Sequence, residues 1–274
     1  MEHGGEMGTG YDNTNIAISV IVPTYNRAML LKRCLDSLLN QSYPKPGYEV
    51  IVVNDGSQDN TEAISKDFYG KLNLIYYKQD NRGPGAARNS GIKNTRGGII
   101  AFIDDDCVAD RGWLENIYKL YEAYPDAEII QGKSTQLNSD ANPISKMYQA
   151  TSKLANERRI IKSPGNTGRD YALFFGPLNA SVRKSTISRH NLYFDEALKT
   201  REDVDLYRRI KKIGLDIRYS EKISVMYTYQ CDNLITFFKR NFGYGRGEFN
   251  LREKWRGKDY IDTPTAGFTL TGLI

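Results

Sequence analysis

The sequence predicts an α/β fold: a mixed, mainly parallel sheet flanked by helices, in a single large domain with a C-terminal helical segment. Three observations carry this. Over the first hundred residues, continuous β-branched runs alternate with stretches of helical period, as parallel crossovers require. Two of those runs end in polar clusters, Asn54-Asp55 and Asp104-Asp105-Asp106, at the carboxyl ends of strands, where ligands of open α/β sheets gather. The composition, 40% hydrophobic and 26% charged over 274 residues, suits a packed core rather than disorder.

The elements follow in order. "IAISVIV" (16–22) is continuous and apolar, as a strand covered on both faces should be. In "NRAMLLKRCLDSLLNQ", Leu31, Cys34, Leu35, Leu38 and Leu39 form one helical stripe, which "YPKPG" then breaks. "YEVIVVND" (48–55) is the second strand, and Asp59 with Glu62 three residues on reads as the cap of the next helix. "LNLIYYKQ" (72–79), "GPGAARNSGIKN" (83–94) and "GIIAFID" (98–104) read as strand, helix and strand.

Beyond residue 110 the alternation weakens. Helices are expected at 113–124, across Ile144–Ile160 and at 202–214; short strands at 127–132 and within "NASVRKS" (179–185), where a turn follows; and a loop at 165–170. Asn233–Tyr260 carries seven Lys or Arg against three Asp or Glu, interleaved with aromatic residues. Gly243, Gly245 and Gly247 predict two helical pieces joined by a flexible elbow. The expected organisation is a flexible tail (1–15), a main domain (16–232) and the basic aromatic segment (233–274). The domain divides where the alternation weakens, into 16–110 and 111–232.

Composition excludes several functions. A net charge of +5 permits an anionic substrate or an anionic membrane surface but falls short of a nucleic-acid-binding signature. Three scattered cysteines and two histidines make neither a zinc site nor a thiol nucleophile, and reduced thiols suit a cytoplasmic setting. The tail is polar, with no secretory signal. The uncharged end "TAGFTLTGLI" reads as a loose end or as the start of a membrane segment. "NRGPGAARNSG" has Arg88 where a dinucleotide fingerprint needs its third glycine, and no P-loop is present.

The aspartate run is the feature that most needs an explanation. Hard cations bind through one or two carboxylates plus substrate phosphates, so the run suits Mg²⁺ or Mn²⁺; it equally suits an acidic turn before the next helix. Alternation lets Asp104 and Asp106 point to one side while Asp105 points elsewhere. Asp55-Gly56 is turn chemistry or a contact to a base, Tyr25 offers a stacking ring, and Glu202-Asp203 favours a helix start or supplies a base.

Taken together, "SVIVPTYNRAMLLKRCLDSLLNQSY", "EVIVVNDGSQDNT", "NRGPGAARNSGIKNTRGGIIAFIDDDC", "GPLNASVRKS" and "REDVDLYRRI" resemble family 2 glycosyltransferases of the Rossmann-like GT-A fold, over about Ile16 to Tyr244. The resemblance implies that Pro23, Tyr25 and Asp55 hold the donor's base. It implies that Asp104 and Asp105 face ribose and diphosphate, that Asp106 binds the divalent metal, and that Arg88 faces the nucleotide. Asp203 would be the catalytic base of an inverting, metal-dependent, single-addition transfer. The donor would be a UDP- or GDP-sugar and the acceptor a glycan hydroxyl or lipid-linked phosphate. Asn54 replaces the family's first aspartate of Asp-Asp-Gly-Ser. A sugar-1-phosphate nucleotidyltransferase and a non-catalytic nucleotide-sugar-binding relative are the alternatives. The basic aromatic segment reads either as a surface peripheral to the membrane face or as a packed, solvated helix.

Overall fold

Four strands of the first half pair in parallel, in the order β4-β3-β2-β5: β2 (Ile18–Thr24), β3 (Tyr48–Asn54), β4 (Leu74–Lys78) and β5 (Ile99–Ile103). The computed structural model describes residues 6–7, 16–137, 146, 159–163, 170–228 and 233–257. Most of the expected helix across Ile144–Ile160, most of the 165–170 loop, Cys231 and the uncharged last ten residues therefore lie outside the described residues; at the end of that expected helix, Ile160 is strand rather than helix. Within the expected tail, Glu6–Met7 forms a short strand, β1, antiparallel to β4. An open sheet edge offers unpaired backbone groups that recruit such a segment.

Both faces of this sheet are covered, which explains the unbroken apolar runs. Ile18, Val20 and Val22 of β2 join one core with Leu31, Leu35 and Leu38 of helix α1 (Ala28–Leu39). Ile21 faces the other core, with Ile92 of α3 (Pro84–Lys93). Burying one such side chain contributes about 1.5–3 kcal/mol, so a strand loaded on both faces anchors two helices at once. Helix α3 lies close to the sheet because Gly91 has no side chain: a Cβ there would come within 2.5 Å of Ile21 Cγ2.

The remaining elements are α2 (Thr61–Lys66), β6 (Cys107–Ala109), α4 (Trp113–Ala123), β7 (Ile129–Gln136), β8 (Ile160–Ile161), β9 (Tyr171–Ala172), β10 (Asn179–Arg183), α5 (Lys184–His190), α6 (Glu202–Lys212), β11 (Ile217–Tyr227) and α7 (Leu234–Trp255). β10 runs antiparallel between β5 and β7, while β11 lies parallel to β7, so the sheet is mixed as expected.

Four local expectations need correction. β11, the longest strand, has no counterpart in the sequence reading, because a bulge between Ser220 and Ser224 breaks its alternation. After Arg183 the chain makes the helix α5, not a turn. Asp59 does not pair with Glu62 in a capping box. It accepts from the Thr61 and Ala28 amides, at 3.1 and 2.9 Å, tying α2 to α1, while Glu62 pairs with Lys66 and Lys78. Finally, the expected elbow is absent, and α7 is one continuous helix of 22 residues.

Its three glycines cost about 1 kcal/mol each against alanine, yet tertiary contacts hold the helix. Asn233 Oδ1 caps it by accepting from the Thr236 amide, and Leu251 and Trp255 are buried. A Cβ on Gly247 would collide with Thr200, so glycine is what permits that close approach. At the far end, the fully buried carboxylate of Asp205 on α6 receives Lys254 Nζ at 2.6 Å and Trp255 Nε1 at 2.9 Å.

Candidate active site

The carboxyl ends of β2, β3 and β5 open onto one mouth. Thr24 and Asn54 close β2 and β3, opposite one another in the ladder. Pro23 is buried in β2 beyond Ile21–Phe102, where the pairing with β5 ends, so its missing N–H costs no bond on that side. Tyr25, just past β2, is 46% exposed at the mouth. The two loops are stitched together: Asn26 Oδ1 accepts from the Gln58 amide at 2.7 Å and Ser57 Oγ from the Asn26 amide at 2.9 Å. Asn26 itself adopts a positive φ of 51°, a conformation asparagine tolerates better than most residues.

Asn54 and Asp55 do different work. Asn54 Oδ1 accepts from the Ser57 amide and its Nδ2 donates to Tyr76, so the neutral side chain closes the turn. Asp55 is 4% exposed, and its carboxylate accepts from Gln79 Nε2, Arg82 N and Gly83 N at 2.8–2.9 Å. Those bonds shape the loop that starts α3.

The three aspartates after β5 separate. Asp105 turns inward, accepting from Thr24 Oγ1 at 2.8 Å and Arg27 Nη1 at 3.1 Å. Asp106 shares that guanidinium at 3.3 Å and accepts weakly from the Cys107 thiol at 3.6 Å. Asp104 pairs instead with Arg88 Nη2 at 2.7 Å. Burial pushes Asp105 up to about 7, with Asp106 and Asp104 adding repulsion and Arg27 opposing it. Asp106 is likewise raised, first by burial and then by Asp104, while Arg27 and the more distant Arg240 of α7 pull it down. Burial also raises the Cys34 and Cys107 thiols, so neither is an activated nucleophile.

Arg88 bridges the aspartates after β5 and the start of α6. It is 5% exposed and also donates from Nη1 to Glu202 Oε1 at 2.8 Å, with the Phe194 ring 5.4 Å away. Its guanidinium is thus paired with two carboxylates. Glu202 and Asp203 open α6, where acidic residues favour the helix dipole. Burial raises Asp203, and it raises Glu202 to about 7; repulsion from Asp203 adds to the Glu202 shift, against Arg88. Arg201, just before them, takes a positive φ of 68°, a strained conformation; its side chain faces α7, with the Tyr244 ring 5.5 Å from the guanidinium and Glu248 Oε2 3.6 Å from Nε.

A divalent cation fits this arrangement. Among the described residues no three His, Cys, Asp or Glu side chains form a cage of their own. Mg²⁺ and Mn²⁺ need only one or two protein carboxylates when a substrate supplies phosphate oxygens. Asp106, side chain 21% exposed and crowded by the charge of Asp104, is the carboxylate that a cation would relieve.

Sequence reasoning missed Arg27 and Thr24, the partners that make the aspartate run tolerable. The signal was present, since Arg27 follows "PTYN" at the same mouth. It missed Asp205 and Arg240 because nothing local links α6 to α7.

A mainly parallel sheet covered on both faces, with carboxylates gathered at its strand ends, defines a GT-A-type α/β domain. The model of the family described as glycosyl transferase family 2 matches residues 19–187, and the chain belongs to that family. A related curated protein is the glycosyltransferase AglE of Haloferax volcanii, 44% identical over 101 residues, covering 36% of this chain and 33% of that protein. The matches span less than half the length of each curated relative. TarS 1–349 of S. aureus, solved with UDP-GlcNAc, shares the fold at a TM-score of 0.67 and 21% identity, over 90% of this chain and 68% of that one. A mannosyltransferase of Pyrobaculum calidifontis, solved with GDP-Man and Mn²⁺, aligns at 0.64 and 19% identity, over 94% and 70%. No helix among the described residues is long and apolar enough to cross a membrane.

Proposed function

We propose that the protein is an inverting glycosyltransferase that moves a sugar from a UDP- or GDP-sugar to an acceptor hydroxyl or a lipid-linked phosphate. Membership of family 2 supports the class. The single observation that supports the mechanism is the placement of the aspartates after β5 and of Glu202-Asp203 on α6 at the two ends of one buried arginine, Arg88.

In this reading Pro23, Tyr25 and Asp55 receive the base, Asp104 and Asp105 border ribose and diphosphate, and Asp106 would hold the divalent cation. Arg88 acts as a positioning residue. When bound, the cation would offset the negative charge that develops on the departing nucleotide diphosphate. Asp203 takes the proton from the acceptor hydroxyl as it attacks the anomeric carbon. A carboxylate whose pKa is raised by burial is a better proton acceptor near neutral pH than an ordinary aspartate. One displacement with one base inverts the configuration, by the geometric logic of inverting glycosidases. Residues 16–110 would form the nucleotide-binding half and 111–232 the acceptor half, with Arg88 between them.

Calorimetry with a panel of UDP- and GDP-sugars, with Mn²⁺ or chelator, tests the reading. Binding of one donor that depends on the cation and disappears in Asp106→Ala is the expected result. No binding of any donor under either condition overturns it.

A further inference from the structure

Helix α7 has two faces with different partners. Arg240, Tyr244, Gly247, Leu251 and Trp255 recur at helical spacing on the side turned to α6 and the site mouth. There Thr200 Oγ1 donates to Gly243 O at 3.4 Å and Tyr244 packs against Arg201. Leu234, Ile235, Phe238, Phe242 and Phe249 occupy the other side, within roughly 100° of the helix circumference. These five are 60–78% exposed, and they make up half of the exposed large hydrophobic side chains among the described residues.

Single exposed apolar residues need no explanation, but a stripe of five along one helix does. Its border indicates the occupant. Between Leu234 and Gly247 the helix carries Lys239, Arg240 and Arg246 and no acidic residue. Lys239 and Arg246 are exposed and line one edge of the stripe. Near its C-terminal end the acidic Glu253 is paired with Arg256 at 2.8 Å. Apolar residues bordered by exposed cations suit the boundary between headgroups and acyl chains of an anionic bilayer. A second protein surface would have to offer acidic groups along that same edge.

We propose that α7 docks the protein on an anionic membrane through Leu234, Ile235, Phe238, Phe242 and Phe249, with Lys239 and Arg246 on lipid phosphates. Arg240 and Tyr244 on the opposite face would then set the site mouth about one helix diameter, roughly 10 Å, from the lipid surface. If the transferase reading holds, that is where a lipid-linked acceptor presents its phosphate.

The test is flotation of the full chain with vesicles of phosphatidylcholine alone or with one quarter phosphatidylglycerol, no donor being present. Wild type should float only with the anionic vesicles. The double variants Phe238→Glu/Phe242→Glu and Lys239→Glu/Arg246→Glu should each bind more than about tenfold more weakly. Circular dichroism and donor binding should be unchanged, because these side chains face outward. Failure of wild type to float, or equal flotation of the phenylalanine variant, overturns the proposal. So does analytical ultracentrifugation showing a dimer that the phenylalanine variant dissociates, which would assign the stripe to a second copy. Donor calorimetry is independent of all these outcomes, so the two readings fail separately.

Discussion

Arg88 and Glu202 are 114 positions apart in the chain, yet Arg88 Nη1 lies 2.8 Å from Glu202 Oε1 while Nη2 of the same guanidinium lies 2.7 Å from Asp104. The pairing sets the start of α6, and with it Asp203, at a defined distance from the aspartates after β5. Asn89 adds a second fastening one residue on, donating to Phe194 O and accepting from Phe194 N.

Removing that arginine strands two carboxylates. Arg88→Ala should destabilise the fold by about 3–5 kcal/mol, the cost of breaking a buried pair. Arg88→Lys should recover only part of this, since one ammonium lacks the fork that reaches both partners. Urea unfolding of the three proteins measures it. An alanine variant as stable as wild type would remove Arg88 from its positioning role.

Glu202 makes stability depend on pH. Its folded-state pKa is raised from 4.5 to about 7 by burial and by Asp203, so the folded protein holds a proton that the unfolded chain has released. Its contribution is therefore complete below about pH 4.5 and is lost as pH rises through about 7. The loss is on the order of a few kcal/mol. Melting temperatures should fall between pH 5 and pH 8 in wild type, and fall less steeply in Glu202→Gln. Parallel curves would show that Glu202 is ionised throughout.

The assigned base separates chemistry from binding. Asp203→Asn keeps the shape of the side chain and removes its proton affinity. Transfer should slow by about 10²–10⁴-fold, with donor binding by calorimetry unchanged. An active Asp203→Asn would move the base elsewhere.

Two glycines of α7 should respond with opposite signs. Gly245 has nothing within 4 Å of an added Cβ, so Gly245→Ala should stabilise by about 0.5–1 kcal/mol through helix propensity. Gly247→Ala gains the same propensity but drives its methyl into Thr200, and overpacking of this kind costs about 1–3 kcal/mol. Thermal melts of the pair decide whether α7 is docked in solution as a continuous helix.

Much of the fold and site is legible in the sequence because the signals are local. Four strands, the helices between them and the carboxylates at their ends follow from runs of a few residues whose period reports burial. The motifs in their order carry the family resemblance. The apolar run that stops at Asp104 is enough to place Asp104, Asp105 and Asp106 at a sheet mouth. Alternation along the chain implies in turn that they do not act as one ligand.

What the tertiary structure decided are relationships between distant segments. Arg27 as the counter-charge of Asp105 and Asp106, Arg88 as the bridge to Glu202, and Asp205 as the anchor of Lys254 and Trp255 each join elements far apart in the chain. The same holds for α7. Its glycines predict an elbow when read locally, but contact with Thr200 and the burial of Leu251 and Trp255 accompany a continuous helix. Propensities of about 1 kcal/mol per residue are overridden by packing, and packing is not written in any single stretch of sequence.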